Sequence, residues 1–199
     1  APMTAILFMS ASARSARSLL NGRRGRQRPG AGVGVVVAGA PALGLEPRRR
    51  SAFTFAPPAG TDTRAWPTVA AIDESWYFKP DAGQLLGSPA NADPVQAHDV
   101  QAEELDIATG IARIEAATRL TITRPTRTWA GLRTFAPDGE LVIGFDPRCD
   151  GFFWLAGQGG YGIQSAAGAS ELAASQLLGR PLAEELVGAG IVPALVSPG

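Results

Sequence analysis

The segment that most constrains this chain runs from residue 152 to residue 178. It opens with the apolar run Phe152-Phe153-Trp154-Leu155-Ala156, passes through Gly157-Gln158-Gly159-Gly160-Tyr161-Gly162, and continues from Ile163 into an alanine-rich stretch. The apolar run reads as a short strand. Residues 163–178 carry Ala166, Ala167, Gly168, Ala169, Ala173 and Ala174; they read as a helix whose small side chains let it approach another backbone closely. Gly179 and Pro181 end it. A strand, a glycine loop and a helix in succession offer free backbone N–H groups and the positive end of a helix dipole to an electron-rich ligand group. The same succession also serves as a plain structural connection, so the pattern alone does not name a ligand.

Composition narrows the function classes. At 199 residues the chain has room for one substantial domain or two small ones. With 45% hydrophobic and 18% charged residues it reads as an ordinary soluble globular protein. No run of 18 apolar residues is present, so no membrane span is expected. The single cysteine, Cys149, rules out an internal disulfide framework and fits a reducing, cytoplasmic setting. In its polar surroundings it reads as a surface-loop thiol. The single histidine, His98, reads as a loop residue before a helix. One histidine counts against a Ser-His-Asp hydrolase and against a histidine-ligated metal, and no metal is expected.

A formal net charge of zero hides an asymmetry. Residues 1–50 hold nine arginines and one acid, Glu46, while the rest of the chain is acidic by a similar margin. Within residues 1–40, 5–9 read as a short strand, 11–20 as helix-forming, and 22–30 as an Arg-Gly-Pro loop. This stretch reads as the truncated, spliced or out-of-frame start of a longer protein. A nucleic-acid arm is the weaker reading, because no aromatic residue is interleaved with the arginines, and nucleic acid is not expected as a partner. A transit-type leader is equally weak. Residues 30–39, Gly-Ala-Gly-Val-Gly-Val-Val-Val-Ala-Gly, imitate a dinucleotide loop. That fingerprint needs a strand before the glycines and a helix after them; here a loop precedes, a strand-like run follows, and Pro41 blocks a helix.

From Leu45 onward the text is regular. Residues 48–55 alternate and read as a strand. Residues 75–79, a turn at Pro80-Asp81-Ala82-Gly83, and residues 84–88 read as a β-hairpin. Asp99 is a candidate cap for a helix running to about Arg119, with Ile107, Ile111 and Ile114 on one face and Glu103, Glu104 and Glu115 solvated. Residues 120–133 alternate as one or two strands. Pro137-Asp138-Gly139 reads as a hairpin turn, and residues 193–199 as an extended tail. The fold class is therefore α+β: a mixed, mainly antiparallel sheet, one helix after the hairpin region and a C-terminal small-residue helix. The domain reading is an atypical basic segment at 1–40, a β-rich domain at 41–150, and a strand–loop–helix unit with its tail at 151–199.

Four blocks, Gly131-Leu132-Arg133, Pro137-Asp138-Gly139, Ile143-Gly144 and Ala156-Gly157-Gln158-Gly159-Gly160-Tyr161-Gly162, resemble in order and spacing the C-terminal signature of the FAD-dependent D-amino-acid oxidase / glycine oxidase superfamily. The resemblance extends from about Gly44 to Leu178. It implies an oxidoreductase that moves a hydride from the carbon of a substrate C–N bond to FAD, which calls for placement more than for an acid–base residue. Arg133 would hold the carboxylate of a small amino acid through two parallel hydrogen bonds; a surface ion pair with Asp138 or Glu140 is its structural alternative. Gly157, Gln158, Gly159, Gly160, Tyr161, Gly162 and Ile163 would face the pyrimidine end of the flavin, with glycine required because a side chain would block the ring. Tyr161 would face substrate or solvent. Tyr77 or Trp76 would line the substrate cavity, with packing on the sheet face as the alternative for each. The family's N-terminal glycine fingerprint is absent from these residues, which implies weak or no FAD binding by this chain alone. A flavin-free module that binds a small carboxylate or self-associates as a homodimer through open sheet edges is the rival reading.

Overall fold

The computed structural model describes residues 43–199 and the backbone of Ala5–Phe8. The expectations for residues 11–40 lie outside the described residues. In chain order the elements are β1 (Ala5–Phe8), β2 (Glu46–Phe55), β3 (Val69–Ala70), β4 (Tyr77–Asp81), β5 (Gln84–Ser88), β6 (Asp93–Pro94), α1 (Glu104–Ala117), β7 (Arg127–Phe135), β8 (Val142–Phe145), β9 (Phe152–Ala156), α2 (Gly162–Leu178), α3 (Glu184–Gly188) and a 3-10 turn (Pro193–Val196). The fold is α+β, with mainly antiparallel strands, one helix after the hairpin region and a C-terminal helix of small residues. The chain divides into two compact units: Arg48–Leu132, and Ala1–Pro47 together with Arg133–Gly199.

In the Arg48–Leu132 unit the strands lie in the order β3-β4-β5-β2-β6, and β7 also pairs with β2. The β4–β5 hairpin turns at Ala82 and Gly83, both at positive φ (46° and 82°), the two-residue geometry whose twist matches the flanking strands. One core joins Phe53, Phe55, Phe78, Leu85, Ile107, Ile114 and Ile122. Phe53 is fully buried and lies between two glycines. A Cβ at Gly87 would fall 2.8 Å from its Cζ, and one at Gly110 would fall 3.0 Å from its Cε1.

Helix α1 presents Ile107 and Ile114 to that core, as their helical spacing predicts. Its start differs from expectation. The cap position is Glu103 rather than Asp99, and no side chain caps it. An ion-pair network instead holds the acids of this start: Arg49 pairs with Glu103, with Asp106 (Nε to Oδ2, 3.3 Å) and with Asp93 (3.6 Å). Ser51 Oγ donates to Asp106 Oδ2 at 2.7 Å. Glu115 is also more than a solvated acid, since its Oε1 accepts the Ile122 N–H at 2.6 Å and ties down the segment after the helix. Leu120 and Ile122 pack on the core from a loop, and the strand begins only at Arg127.

The second unit is built on a three-stranded sheet, β1-β9-β8, in which β1 runs parallel and β8 antiparallel to the central β9. Alternation along a strand sends successive side chains to opposite faces. Phe152, Trp154 and Ala156 accordingly join Leu45, Ala136 and Val142 in one cluster. Phe153 and Leu155 join Ile143 and the α2 residues Leu172 and Ala173 in another. Both faces are covered, which is why the five residues are apolar without interruption. Helix α2 ends at Gly179 (φ 61°), whose N–H reaches Gln176 O while Arg180 N–H reaches Ser175 O, a glycine C-cap. Leu182 and Leu186 pack onto the α2 cluster, and the tail at 193–199 is less extended than expected, since Pro193–Val196 form a 3-10 turn and Val196 joins the same cluster.

Two further differences concern turns. Gly139 (φ 83°) donates to Ala136 O at 3.0 Å, so the Pro137-Asp138-Gly139 turn is present. It connects strands of different sheets, however, because β7 pairs with β2 and β8 with β9. The loop at 146–150 is not merely polar. Asp146 is buried, accepting from the indole Nε1 of Trp154 (2.8 Å), from Arg148 N (2.8 Å) and from the Arg148 guanidinium (3.1 Å). Cys149 is half-buried against the Phe152–Trp154 cluster rather than a free surface thiol.

The Arg148 guanidinium, helped by the Trp154 N–H, lowers the Asp146 carboxyl from its ordinary 3.8 to about 2. A depressed carboxyl pKa contributes stability that is present above the unfolded value and is lost as pH falls through the folded one. The expected result is a loss of about 1–2 kcal/mol between pH 4 and pH 2, reduced from the full linkage value by solvent screening at the half-exposed Arg148. Urea unfolding of the wild type and Asp146→Asn across that range measures it, since the Asn variant lacks this component of the pH dependence.

Candidate functional site

The end of β7 and the glycine loop run side by side. Gly159 N–H donates to Thr134 O at 2.8 Å. The ring of Phe135 lies where a Gly159 side chain would stand, with Cε1 2.8 Å from such a Cβ. The guanidinium of Arg133 occupies the equivalent place at Gly160, with Cζ 3.0 Å from a built Cβ. At Gly157 the backbone is left-handed (φ 70°), and a Cβ would come 3.0 Å from Glu140 O. A Cβ at Gly157 would thus meet backbone, whereas one at Gly159 or Gly160 would have to displace the side chain of Phe135 or Arg133.

Beyond these contacts the loop turns outward. Gly160 and Tyr161 are exposed, and Ile163, at the start of α2, is 98% exposed although it is apolar. Tyr161 occupies the N-cap position and offers no side-chain cap; no acid lies in the first turn. Tyr161 N–H donates to Gln158 O, and Ser165 N–H to Tyr161 O. The N–H groups of Gly160, Gly162, Ile163 and Gln164 find no acceptor among the described residues. Four unpaired donors at the positive end of a 17-residue helix suit an electron-rich or anionic group.

Arg133 is half-buried and makes no ion pair among the described residues, which contain every acid in the chain. Asp138 and Glu140, the partners of the ion-pair alternative, are both exposed, and Asp138 instead accepts the Glu140 N–H at 3.0 Å. A guanidinium without a carboxylate, set against a loop with unpaired donors, makes this surface electropositive. Tyr77 and Trp76 belong to the Arg48–Leu132 unit. Trp76 packs against its core and stacks with Phe78 (6.2 Å between centroids, 5° between planes), which commits it to packing. Tyr77 starts β4, half-buried, on the face opposite Phe78.

The residues that hold the loop, Thr134 and Phe135, carry no signal in the sequence. The uncapped helix start does: a tyrosine where Ser, Thr, Asp or Asn would ordinarily cap leaves donors open to a ligand. A family description, FAD dependent oxidoreductase, matches residues 13–176. The chain belongs to the FAD-dependent oxidoreductase family. Solved structures of similar fold include glycine oxidase from Geobacillus kaustophilus (19% identity, TM-score 0.59, covering 79% of this chain and 40% of that one). Iminodiacetate oxidase from Chelativorans sp. BNC1 is similar at 21% identity and TM-score 0.60, with 78% and 41% covered. L-amino acid deaminase from Proteus vulgaris is similar at 19% identity and TM-score 0.55, with 79% and 37% covered. This member of the family thus spans about 40% of the length of those neighbours. Among its described residues no helix is long and apolar enough to cross a membrane.

Proposed function

We propose that this chain forms the substrate-binding and flavin-facing part of an FAD-dependent oxidoreductase that oxidises the C–N bond of a small amino acid or amine. The observation that carries the reading is the Arg133 guanidinium, without a carboxylate partner, lying on the exposed glycine loop at an uncapped helix start. FAD fits the donor set. Gly160, Gly162, Ile163 and Gln164 present N–H groups that favour negative charge at a ring edge, and Gly157, Gln158 and Gly159 hold the loop in place behind them. When bound, FAD supplies the acceptor for the hydride. Arg133 binds and orients the carboxylate of the amino acid, and Tyr161 contributes aromatic surface for the remainder of the substrate.

The visible spectrum of the purified chain, before and after incubation with FAD and removal of the excess, tests the reading. A retained flavin band that bleaches when an amino acid is added without air supports it. In that preparation Arg133→Ala is expected to weaken the amino acid about 100-fold, roughly 3 kcal/mol for a lost two-pronged charged contact. A chain that stays colourless in excess FAD overturns flavin chemistry by this chain alone and leaves a flavin-free carboxylate-binding module as the standing alternative.

A further inference from the structure

We propose that Gly160 is a positioning residue for Arg133: the backbone of the glycine loop aims the carboxylate-binding fork by leaving a slot where a side chain would stand. The proposal rests on Arg133 being the carboxylate anchor. A Cβ at Gly160 would overlap Nη1 and would lie 3.0 Å from Cζ and 3.6 Å from Nε, so the planar group rests over that Cα. Gly160 is not in the left-handed region, unlike Gly157 (φ 70°) and Gly159 (φ 50°). Its backbone would accept alanine, so what a Cβ there would displace is the Arg133 guanidinium.

The register around the contact is fixed independently. Thr134 O takes the Gly159 N–H at 2.8 Å, and the Phe135 ring fills the space at Gly159. Three successive β7 residues thus touch two successive loop residues. No carboxylate fixes the guanidinium among the described residues, so the loop is the surface that sets the direction of its donors. The cofactor-facing loop and the substrate-binding arm are one mechanical piece, and a displaced loop misdirects the arm.

Gly160→Ala tests this, read by the side-chain Nε–H signal of Arg133 in nitrogen-edited NMR, assigned by its loss in Arg133→Lys, and by titration with acetate as the carboxylate probe. The expected result is a displaced Arg133 signal and acetate binding weakened about 10-fold. Gly131→Ala, on the same strand with nothing within 4 Å of its Cβ, leaves both unchanged. An Arg133 signal and acetate affinity unaltered in Gly160→Ala overturn the proposal. If Gly160→Ala impairs folding, the double variant with Arg133→Ala decides: recovery of stability supports the slot, and a double variant no more stable than Gly160→Ala overturns it. If acetate leaves the wild-type signal still while Gly160→Ala displaces it, the positioning stands and the carboxylate-anchor reading falls.

Discussion

Phe53→Ala is expected to lower the stability of the Arg48–Leu132 unit by about 4 kcal/mol, the middle of the range for buried aromatic truncations. The reason lies in what surrounds the ring. Its two edges face the glycines of β5 and α1, Gly87 and Gly110, where backbone rather than flexible side chain forms the wall. Such a wall cannot collapse into the vacated space, so the cavity persists and adds to the lost transfer free energy. Roughly 4 kcal/mol is a large share of the stability of an ordinary domain and corresponds to a fall in Tm of roughly 20 °C for a unit of this size. Guanidinium unfolding of wild type, Phe53→Leu and Phe53→Ala checks it. A loss below about 1.5 kcal/mol for the alanine variant would mean that the slot closes. The complementary change, Gly110→Ala, is expected to cost about 1–3 kcal/mol by overpacking, because the built Cβ meets Pro89 N at 3.0 Å as well as the ring.

Trp154→Ala is expected to cost about 5 kcal/mol in the other unit, through the lost packing of a side chain only 1% exposed and the lost donor to a buried carboxylate. Trp154→Phe separates the two contributions. It keeps an aromatic ring against Phe152, whose centroid lies 4.8 Å from that of Trp154, but removes the N–H that Asp146 Oδ2 accepts. Arg148 Nη2 still reaches that oxygen at 3.1 Å, so the loss is moderate, about 2 kcal/mol. The N–H favours the ionised carboxyl, so the cost of Trp154→Phe shrinks between pH 4 and pH 2 as Asp146 takes up its proton. Equal costs at pH 7 and pH 2 would show that the indole N–H is not what holds the carboxylate.

Local chemistry made much of this legible in the sequence. The Ala82-Gly83 turn, the isoleucine face of α1, the unbroken apolar β9 and the Gly179 cap each follow from a short-range rule about dihedral angles or period. What escaped was set by pairings that no rule of period or dihedral angle announces. The run around Cys149 reads simply as polar, because nothing in the text announces that Trp154 will place an indole N–H over Asp146. The start of α1 moved from Asp99 to Glu103 because Arg49, more than fifty positions earlier, gathers Glu103 and Asp106. The Pro137-Asp138-Gly139 turn is plain, yet turn chemistry does not say that its two flanking strands enter different sheets. At the candidate site the glycine spacing was visible, but not the identity of the atoms occupying each vacant side-chain position.

The parallel pairing of β1 with β9 sets an order of events when the polypeptide is synthesised from its N-terminus. The Arg48–Leu132 unit is continuous in the chain and can condense once Leu132 is available. The sheet of the other unit cannot close until Ala156 has emerged, because Ala5–Phe8 has its partner in Phe152–Leu155. Until then β1 lacks its β9 partner, and a strand without its partner is open to pairing with the wrong chain. Slow or interrupted translation between residues 132 and 156 would therefore lower the yield of native protein more than the same delay before residue 132.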